Sequence, residues 1–291
     1  DSFFKGKKLP KIIKLNFNLL KKVDIIFTAL PNGEAQKISK KISSNNILID
    51  LAGDFRLSEK DYYKWYKLKH KAKENIHKSI YSLPELINKK VKNYQILSCP
   101  GCYPTSVLLP LVPLIKKKLI SDKNIIIDSK SGYSGGGRSI HKKYRDKNLY
   151  ESLSTYGVST HKHNPEIKNA MKSFTNRNIN FTFTPHLSPM FRGILSTVYL
   201  DLTKNVAIEV LVNELKRFYK KHKFIKIMKK NTLLSTNEVI NTNYCYISIC
   251  KTSSKNKIIL LSAIDNLIKG GSGQAIQNLN NYFDFPSNRG L

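Results

Sequence analysis

The stretch that decides the fold lies at residues 23–54 and reads VDIIFTALPNGEAQKISKKISSNNILIDLAGD. It begins and ends with short apolar runs, and between them the turn Pro31-Asn32-Gly33 precedes a segment of helical spacing from Glu34 to Ile42. Strand, turn, helix and strand in this order predict a parallel α/β sheet, in which ligands bind beyond the carboxyl ends of the strands. The turn lies at one such end, and residues 52–54 lie at the next.

A further predicted strand, residues 94–98, runs into Cys99-Pro100-Gly101-Cys102 and then into a long apolar helix from about Thr105 to Leu119. This order places Cys102 near a helix start. Backbone N–H groups and the positive end of the helix dipole lie there, and both lower a thiol pKa and favour the thiolate.

Beyond about residue 120 the pattern changes to longer strands with alternation, which predict an antiparallel α+β domain. The strands are predicted at 125–129, 179–184, 193–202, 244–251 and 257–263, and the helices near 164–174 and 206–221. A last helical segment, Gly270 to Phe283, follows a glycine-rich start and is expected to return to the first domain. We therefore divide the chain into residues 1–101, 102–267 and 268–291.

The formal net charge of +30 arises from 50 Lys+Arg against 20 Asp+Glu. Most of the positive residues are lysines spread over every segment, so we expect no nucleic-acid partner but a positive field that steers anionic small substrates. No apolar run reaches the roughly 20 residues of a membrane span, and the first residues lack the parts of a signal peptide. We therefore expect a cytoplasmic protein with no membrane partner.

The four cysteines are too few for a disulfide framework in a chain without an export signal, so we expect them to be reduced. Cys102 is either a reactive thiol or a small buried apolar residue. Cys99 and Cys102 also form a C-x-x-C pair, typical of a redox site or of half a zinc site with Cys245 and Cys250. The spacing of the second pair puts its side chains on opposite faces of a strand, so we expect no metal.

Two histidines, His161 and His163, are two residues apart in a predicted extended segment, so both side chains point the same way. They are candidates for a general acid/base, for a metal pair or for incidental surface histidines. Residues 131–138, SGYSGGGR, suit an anion held by backbone N–H groups and by Arg138, although a plain linker has the same composition. Arginine is scarce in this lysine-rich chain, which favours a specific use of the planar guanidinium of Arg192.

Eight segments together resemble the N-acetyl-gamma-glutamyl-phosphate reductase family in their order and spacing, over essentially the whole chain. They are LPNG at 30–33, DLAGDFRL at 50–57, YSLPE at 81–85, PGCYPT at 100–105, residues 131–138, HKHNPE at 161–166, residues 185–197 and DNLIKGGSGQA at 265–275. Each segment alone is a weak signal, but eight in order are specific.

The resemblance implies an α/β enzyme of the semialdehyde dehydrogenase type, with a Rossmann NADP(H) domain and an α+β domain for catalysis and oligomerisation. It implies NADPH-dependent reduction of N-acetyl-L-glutamyl 5-phosphate to N-acetyl-L-glutamate 5-semialdehyde in arginine biosynthesis, by a homodimer or homotetramer. Cys102 is then the nucleophile that forms a thioester, and either His163 or His161 is the acid/base. The alternatives are an aminoadipyl or aspartyl phosphate as substrate, and a non-catalytic binding protein on the same fold.

The resemblance also implies which residues surround the ligands. The expected cofactor-binding residues are Pro31, Gly33, Ser131, Gly132, Gly135, Asn266 and Gln274. The expected substrate-binding residues are Arg138, His186 and Arg192.

The chain departs from the family pattern in several places. The strand, glycine-rich phosphate loop and helix that open the family pattern do not precede Asp1, so we expect an incomplete sequence. Cys99 stands where the family has Asn, Asn32 where it has His, and Gly53 where it has Ala. We expect a neighbouring thiol at position 99 to be able to trap Cys102 as a disulfide under oxidation.

Overall fold

The structure of the protein is a computed structural model, which describes residues 6, 10–87, 90–136, 151–203 and 206–291. The helices in these ranges are α1 (Phe17–Leu20), α2 (Glu34–Ser39), α3 (Glu59–Tyr66), α4 (Cys102–Lys116), α5 (His163–Thr175), α6 (Ile208–Phe218) and α7 (Gly273–Tyr282). The strands are β1 (Ile25–Thr28), β2 (Ile47–Asp50), β3 (Ser79–Tyr81), β4 (Ile96–Ser98), β5 (Ile125–Gly132), β6 (Ser154–Thr155), β7 (Phe181–Ser188), β8 (Ile194–Asp201), β9 (Ile225–Ile227), β10 (Cys245–Lys251) and β11 (Lys257–Ile264).

The first sheet has four parallel strands in the order β1-β2-β4-β3. All four residues of β2 are buried, as expected of a central parallel strand covered on both faces. The parallel α/β sheet predicted from residues 23–54 is therefore confirmed. The carboxyl ends of β1, β2 and β4 meet at one edge, and the loops that follow them line the site described below.

The second sheet has seven strands in the order β6-β7-β5-β8-β11-β10-β9. The strands β5 and β7 pair in parallel, as do β9 and β10, whereas the other pairs are antiparallel. The prediction of an antiparallel sheet is therefore wrong for these two pairs. In the first, α5 lies between the two strands in the chain and supplies the long crossover that parallel strands require.

The apolar helix α4 packs in the centre of the second domain. Every residue from Tyr103 to Ile115 is buried, and the helix contacts α5, α6, β8 and β11. Burial of side chains such as Leu108 and Leu111 stabilises this arrangement by roughly 1.5–3 kcal/mol each. The position of Cys102 at the start of the helix is therefore fixed by the core.

The last helix, α7, packs against the first sheet. Ala275 and Leu279 lie in one apolar cluster with Ile49 and Leu97 of that sheet. A buried ion pair adds to this contact, because Lys269 Nζ lies 2.5 Å from Glu85 Oε1 and both side chains are fully buried.

Five elements were not predicted from the sequence, namely α1, α3, β3, β6 and β9. Helix α3 begins after Ser58, whose side chain accepts a hydrogen bond from the Asp61 N–H at 3.2 Å, so its signal was an ordinary N-cap. Strand β3 has only three residues, too few for an apolar periodicity. In the described ranges, no helix is long and apolar enough to cross a membrane.

Candidate active site

A cleft of about 1030 Å³ lies between the two sheets. It is lined by the loops after β1 and β2, by the first residues of α4, and by the segments that contain His161 and Gly270. Such a position, beyond the carboxyl ends of parallel strands, is where α/β folds bind their ligands.

Cys102 is the first residue of α4 and lines this cleft. Burial raises the pKa of its thiol to about 11, although the backbone N–H of Tyr103 acts in the opposite direction. The expectation that the helix start alone lowers this pKa is therefore wrong, because burial outweighs the helix end. The thiol needs a base to become a nucleophile at neutral pH.

Gly270 forms the wall beside Cys102. A Cβ built on residue 270 would lie 2.6 Å from the Cβ of Cys102, a distance that no side chain tolerates. The close approach therefore requires glycine at position 270. The residue before it, Lys269, is buried.

His163 packs against Gly101, the residue that precedes Cys102. A Cβ built on Gly101 would lie 2.3 Å from His163 Nε2, so the imidazole packs directly on the glycine backbone. Burial, with the positive charges of Arg56 and Lys162 nearby, holds the pKa of His163 well below its usual value. The imidazole is therefore neutral at pH 7, which is the protonation state that a general base must have.

His161 is held differently. Its Nδ1 accepts the backbone N–H of His163 at 3.1 Å, so its proton is on Nε2. Its ring makes edge contacts with Tyr103, Tyr156 and Phe183 at centroid distances of 5.2–5.7 Å, and burial lowers its pKa to about 4. This residue shapes the backbone at His163.

A buried carboxylate, Glu166, joins the elements of the site. Its Oε1 accepts the Gly101 N–H and the Tyr81 hydroxyl, both at 2.8 Å, and its Oε2 lies 3.1 Å from the Arg56 guanidinium. Arg56 also donates to the carbonyl oxygens of Cys99 at 2.8 Å and of Leu51 at 2.7 Å. Neither Arg56 nor Glu166 was predicted from the sequence as a site residue, although the scarcity of arginine that favoured a specific use of Arg192 applies equally to Arg56.

Four of the expected cofactor-binding residues line the cleft, namely Pro31, Ser131, Gly135 and Asn266. Asn266 is also part of the scaffold, because its Oδ1 accepts the Gly193 N–H at 2.6 Å and its Nδ2 donates to Ser134 Oγ at 3.0 Å.

The other three, Gly33, Gly132 and Gln274, do not line it. The Gly33 N–H donates to Asp54 Oδ1 at 2.7 Å, so a protein carboxylate already satisfies the donor expected for a ligand. Gly132 packs against the backbone of Arg192, where a Cβ would lie 2.6 Å from its nitrogen. Gln274 is fully buried, and its amide has no hydrogen-bond partner among the described residues.

The expected substrate-binding residues lie away from the cleft or outside the described residues. His186 lies on β7 with its Nδ1 3.0 Å from Asp128 Oδ1, although without hydrogen-bond geometry. Arg192 pairs with the buried Asp265 at 3.4 Å and also donates to Asn241. Arg138 lies outside the described residues. The three roles stay predictions.

In the described part of the chain, no three His, Cys, Asp or Glu side chains cluster as metal ligands do. Cys245 Sγ contacts Ser262 Oγ at 3.5 Å, whereas Cys250 Sγ contacts the Thr232 carbonyl oxygen at 3.9 Å. The two thiols therefore lie in different surroundings.

Two family models match the chain. One is described as the NAD binding domain of semialdehyde dehydrogenase and matches residues 4–94, and the other as its dimerisation domain and matches residues 102–266. An N-acetyl-gamma-glutamyl-phosphate reductase of Desulforamulus reducens is 41% identical over 100% of this chain and 83% of its own length. The chain belongs to the N-acetyl-gamma-glutamyl-phosphate reductase family.

Other proteins support membership of this reductase family. A probable chloroplastic N-acetyl-gamma-glutamyl-phosphate reductase of Arabidopsis thaliana is 38% identical over 99% of this chain and 72% of its own length. An aspartate semialdehyde dehydrogenase structure from Francisella tularensis has a TM-score of 0.70 at 14% identity, covering 91% of this chain and 83% of that one, which shows a shared fold.

The resemblance predicted from the eight segments is therefore confirmed, as are the fold class and the assignment as an oxidoreductase. The matching domains indicate a nicotinamide cofactor and an oligomer. Because a plant relative is named as chloroplastic, the cytoplasmic location stays a prediction.

Proposed function

We propose that this protein reduces N-acetyl-L-glutamyl 5-phosphate to N-acetyl-L-glutamate 5-semialdehyde with NADPH, as a step of arginine biosynthesis. The observation that carries the proposal is the placement of the Cys102 thiol in the cleft, one residue after the glycine on which the neutral His163 packs. The names of the relatives supply the substrate.

The chemistry begins with proton transfer. Neutral His163 accepts the thiol proton, and Cys102 Sγ attacks the acyl carbon, so that a carbon–sulfur bond forms as the carbon–oxygen bond to phosphate breaks. The product is a thioester on Cys102, with phosphate released. When bound, NADPH supplies the reducing equivalents that convert this thioester to the aldehyde. Protonated His163 then returns its proton to the thiolate.

The described lining of the cleft fits an anionic dinucleotide. It includes no carboxylate, it contains the cations Arg56 and Lys162, and it exposes backbone at Gly135 and Gly136. Pro31, Ser131, Gly135 and Asn266 are the residues that would hold NADP(H), which agrees with the resemblance.

The second sheet offers a surface for a homodimer or homotetramer. Its helices cover one face, whereas on the other face Ile126 of β5 pairs with Tyr199 of β8, and these side chains are 48% and 42% exposed. Apolar side chains in adjacent strands, exposed side by side, are typical of an interface between subunits.

The reverse reaction tests the proposal. N-acetylglutamate semialdehyde, NADP and phosphate are given to the enzyme, and NADPH formation is followed for wild type, Cys102→Ser and Cys99→Ala. We expect activity in wild type and Cys99→Ala and none in Cys102→Ser. Activity in Cys102→Ser would contradict the covalent mechanism. If aspartate semialdehyde is turned over and N-acetylglutamate semialdehyde is not, the proposed substrate is wrong. A wild-type protein that is folded but inactive on both would contradict the proposed enzymatic function.

A further inference from the structure

The cleft has one described cation that no protein group neutralises. Arg56 and Lys162 are the cations in its described lining. Each nitrogen of the Arg56 guanidinium has a protein partner, and its charge is paired with Glu166. Lys162 is exposed and forms no ion pair with a described residue. Its ammonium is therefore available to a ligand.

An aromatic ring holds this ammonium in place. Lys162 Nζ lies 4.8 Å from the centroid of the Tyr66 ring, and Tyr66 in turn stacks on the buried Tyr62 at 4.7 Å. The attraction between a cation and a ring face does not use the N–H donors of the cation. An ion pair with a carboxylate would use them. The lysine is thus oriented while its three donors remain free.

The hydroxyl of Tyr66 packs against Gly53 in the lining of the cleft, and this contact requires glycine at position 53. A Cβ built on Gly53 would lie 2.0 Å from this hydroxyl. The hydroxyl makes no hydrogen bond with a described residue, and burial raises the pKa of Tyr66 to about 12. It therefore keeps its proton and can act as a donor.

We propose that Lys162, oriented by Tyr66, binds an anionic group of the substrate. The inference rests on the proposed function, because the acyl phosphate carries both a phosphoryl group and an α-carboxylate. Either group presents charged oxygen acceptors that match an ammonium and a phenolic donor. Lys162 lines the same cleft as His163, so an anion bound by its ammonium lies in the cleft that contains the proposed acid/base.

The reverse reaction separates the two anions, because phosphate and the carboxylate-bearing semialdehyde are then independent ligands. For Lys162→Met, which keeps most of the length of the side chain and removes its charge, we expect the KM of one of them to rise about ten- to hundredfold. A higher phosphate KM identifies the phosphoryl group, and a higher semialdehyde KM identifies the carboxylate. Lys162→Arg should restore most of the affinity, and Tyr66→Phe should raise the same KM about threefold.

A matched control is Lys168→Met, which removes the same charge from an exposed position on α5 outside the cleft. We expect it to leave each KM unchanged. The inference is wrong if Lys162→Met leaves both KM values within about twofold of wild type, or if only the KM of NADP rises. A wild-type enzyme without turnover would instead contradict the proposed function, and the inference would fall with it.

Discussion

The backbone N–H of Gly101 donates to Glu166 Oε1 at 2.8 Å, which connects the residue before Cys102 to the helix that begins at His163. Glu166 lies one turn after His163, and its Oε2 is 4.0 Å from His163 Nε2. A single buried carboxylate therefore contacts both the segment before Cys102 and the imidazole of His163. We propose that Glu166 is a positioning residue for both.

Replacing Glu166 by glutamine should lower stability and activity together. Glu166→Gln leaves the nearly buried Arg56 guanidinium without its charge partner, so we expect the free energy of unfolding to fall by about 2–4 kcal/mol. Urea unfolding measures this loss, and kcat in the reverse assay measures the misplacement of His163. The control is Glu151→Gln, which removes one negative charge, as Glu166→Gln does, but from an exposed side chain. It should change neither the unfolding free energy nor kcat. A variant as stable as wild type would contradict a structural role for the ion pair.

The second buried ion pair, Lys269 with Glu85, also makes a prediction. Lys269→Met leaves the Glu85 carboxylate buried with Gln277 as its remaining donor, so we expect a loss of about 3–5 kcal/mol in unfolding free energy. The double variant Lys269→Met/Glu85→Gln should recover part of this loss, because no uncompensated charge remains. Losses that simply add in the double variant would show that the two side chains do not interact.

Local sequence patterns predicted most of the fold. The apolar runs at β1 and β2, and the alternation in β8, β10 and β11, report which side chains are buried, and burial decides these elements. Strand order and direction depend on contacts between distant segments. The parallel pairing of β5 with β7 required the length of the connection through α5, which the strand patterns themselves do not contain.

The candidate site was also predicted only in part, because some of its contacts join segments that are distant in the chain. Cys102 and the pair His161 and His163 lie in short motifs of suitable residue types, so the sequence named them as candidates without deciding between the two histidines. The partners of Glu166 are 65 to 110 residues away in the chain, at Gly101, Tyr81 and Arg56, and no local pattern contains them. The pKa of Cys102 depends on burial by the whole cleft, and the helix start alone therefore predicted the wrong direction.

The raised pKa of Cys102 predicts slow alkylation near neutral pH. In the enzyme without ligands, the rate of carbamidomethylation by iodoacetamide should rise about tenfold per pH unit above pH 8, because the thiolate is the reactive form. Mass spectrometry measures the modified fraction at each pH. Cys99, whose pKa is raised to about 12 by complete burial, should stay unmodified while the fold is intact. A rate already constant at pH 8 would indicate a resting thiolate.

The buried histidines should make stability depend on pH. Burial lowers the pKa of His161 from 6.5 to about 4, so between these values the unfolded chain binds more protons. Its contribution to stability therefore falls as pH falls through this window. We expect the unfolding free energy of wild type relative to His161→Asn to rise with pH between about 4 and 6.5, by at most about 1.4 kcal/mol per unit.

Asp50 provides a comparison of opposite sign. Burial raises its pKa from 3.8 to about 6, so the folded chain binds more protons in that window and stability falls as pH rises. Relative to Asp50→Asn, wild type should therefore lose stability as the pH increases from 4 to 6. Identical pH slopes for wild type and both variants, measured by urea unfolding, would contradict these burial effects.

The contact between Gly53 and Tyr66 predicts a coupled pair of substitutions. Gly53→Ala places a methyl group 2.0 Å from the Tyr66 hydroxyl, and stacking on Tyr62 limits how far the ring can move. We expect a loss of about 1–3 kcal/mol in unfolding free energy from this overpacking. In a Tyr66→Ala background the same substitution should cost much less, because the space is already empty. Urea unfolding of the four proteins measures the coupling, and an equal cost in both backgrounds would show that the hydroxyl does not occupy the space beside residue 53.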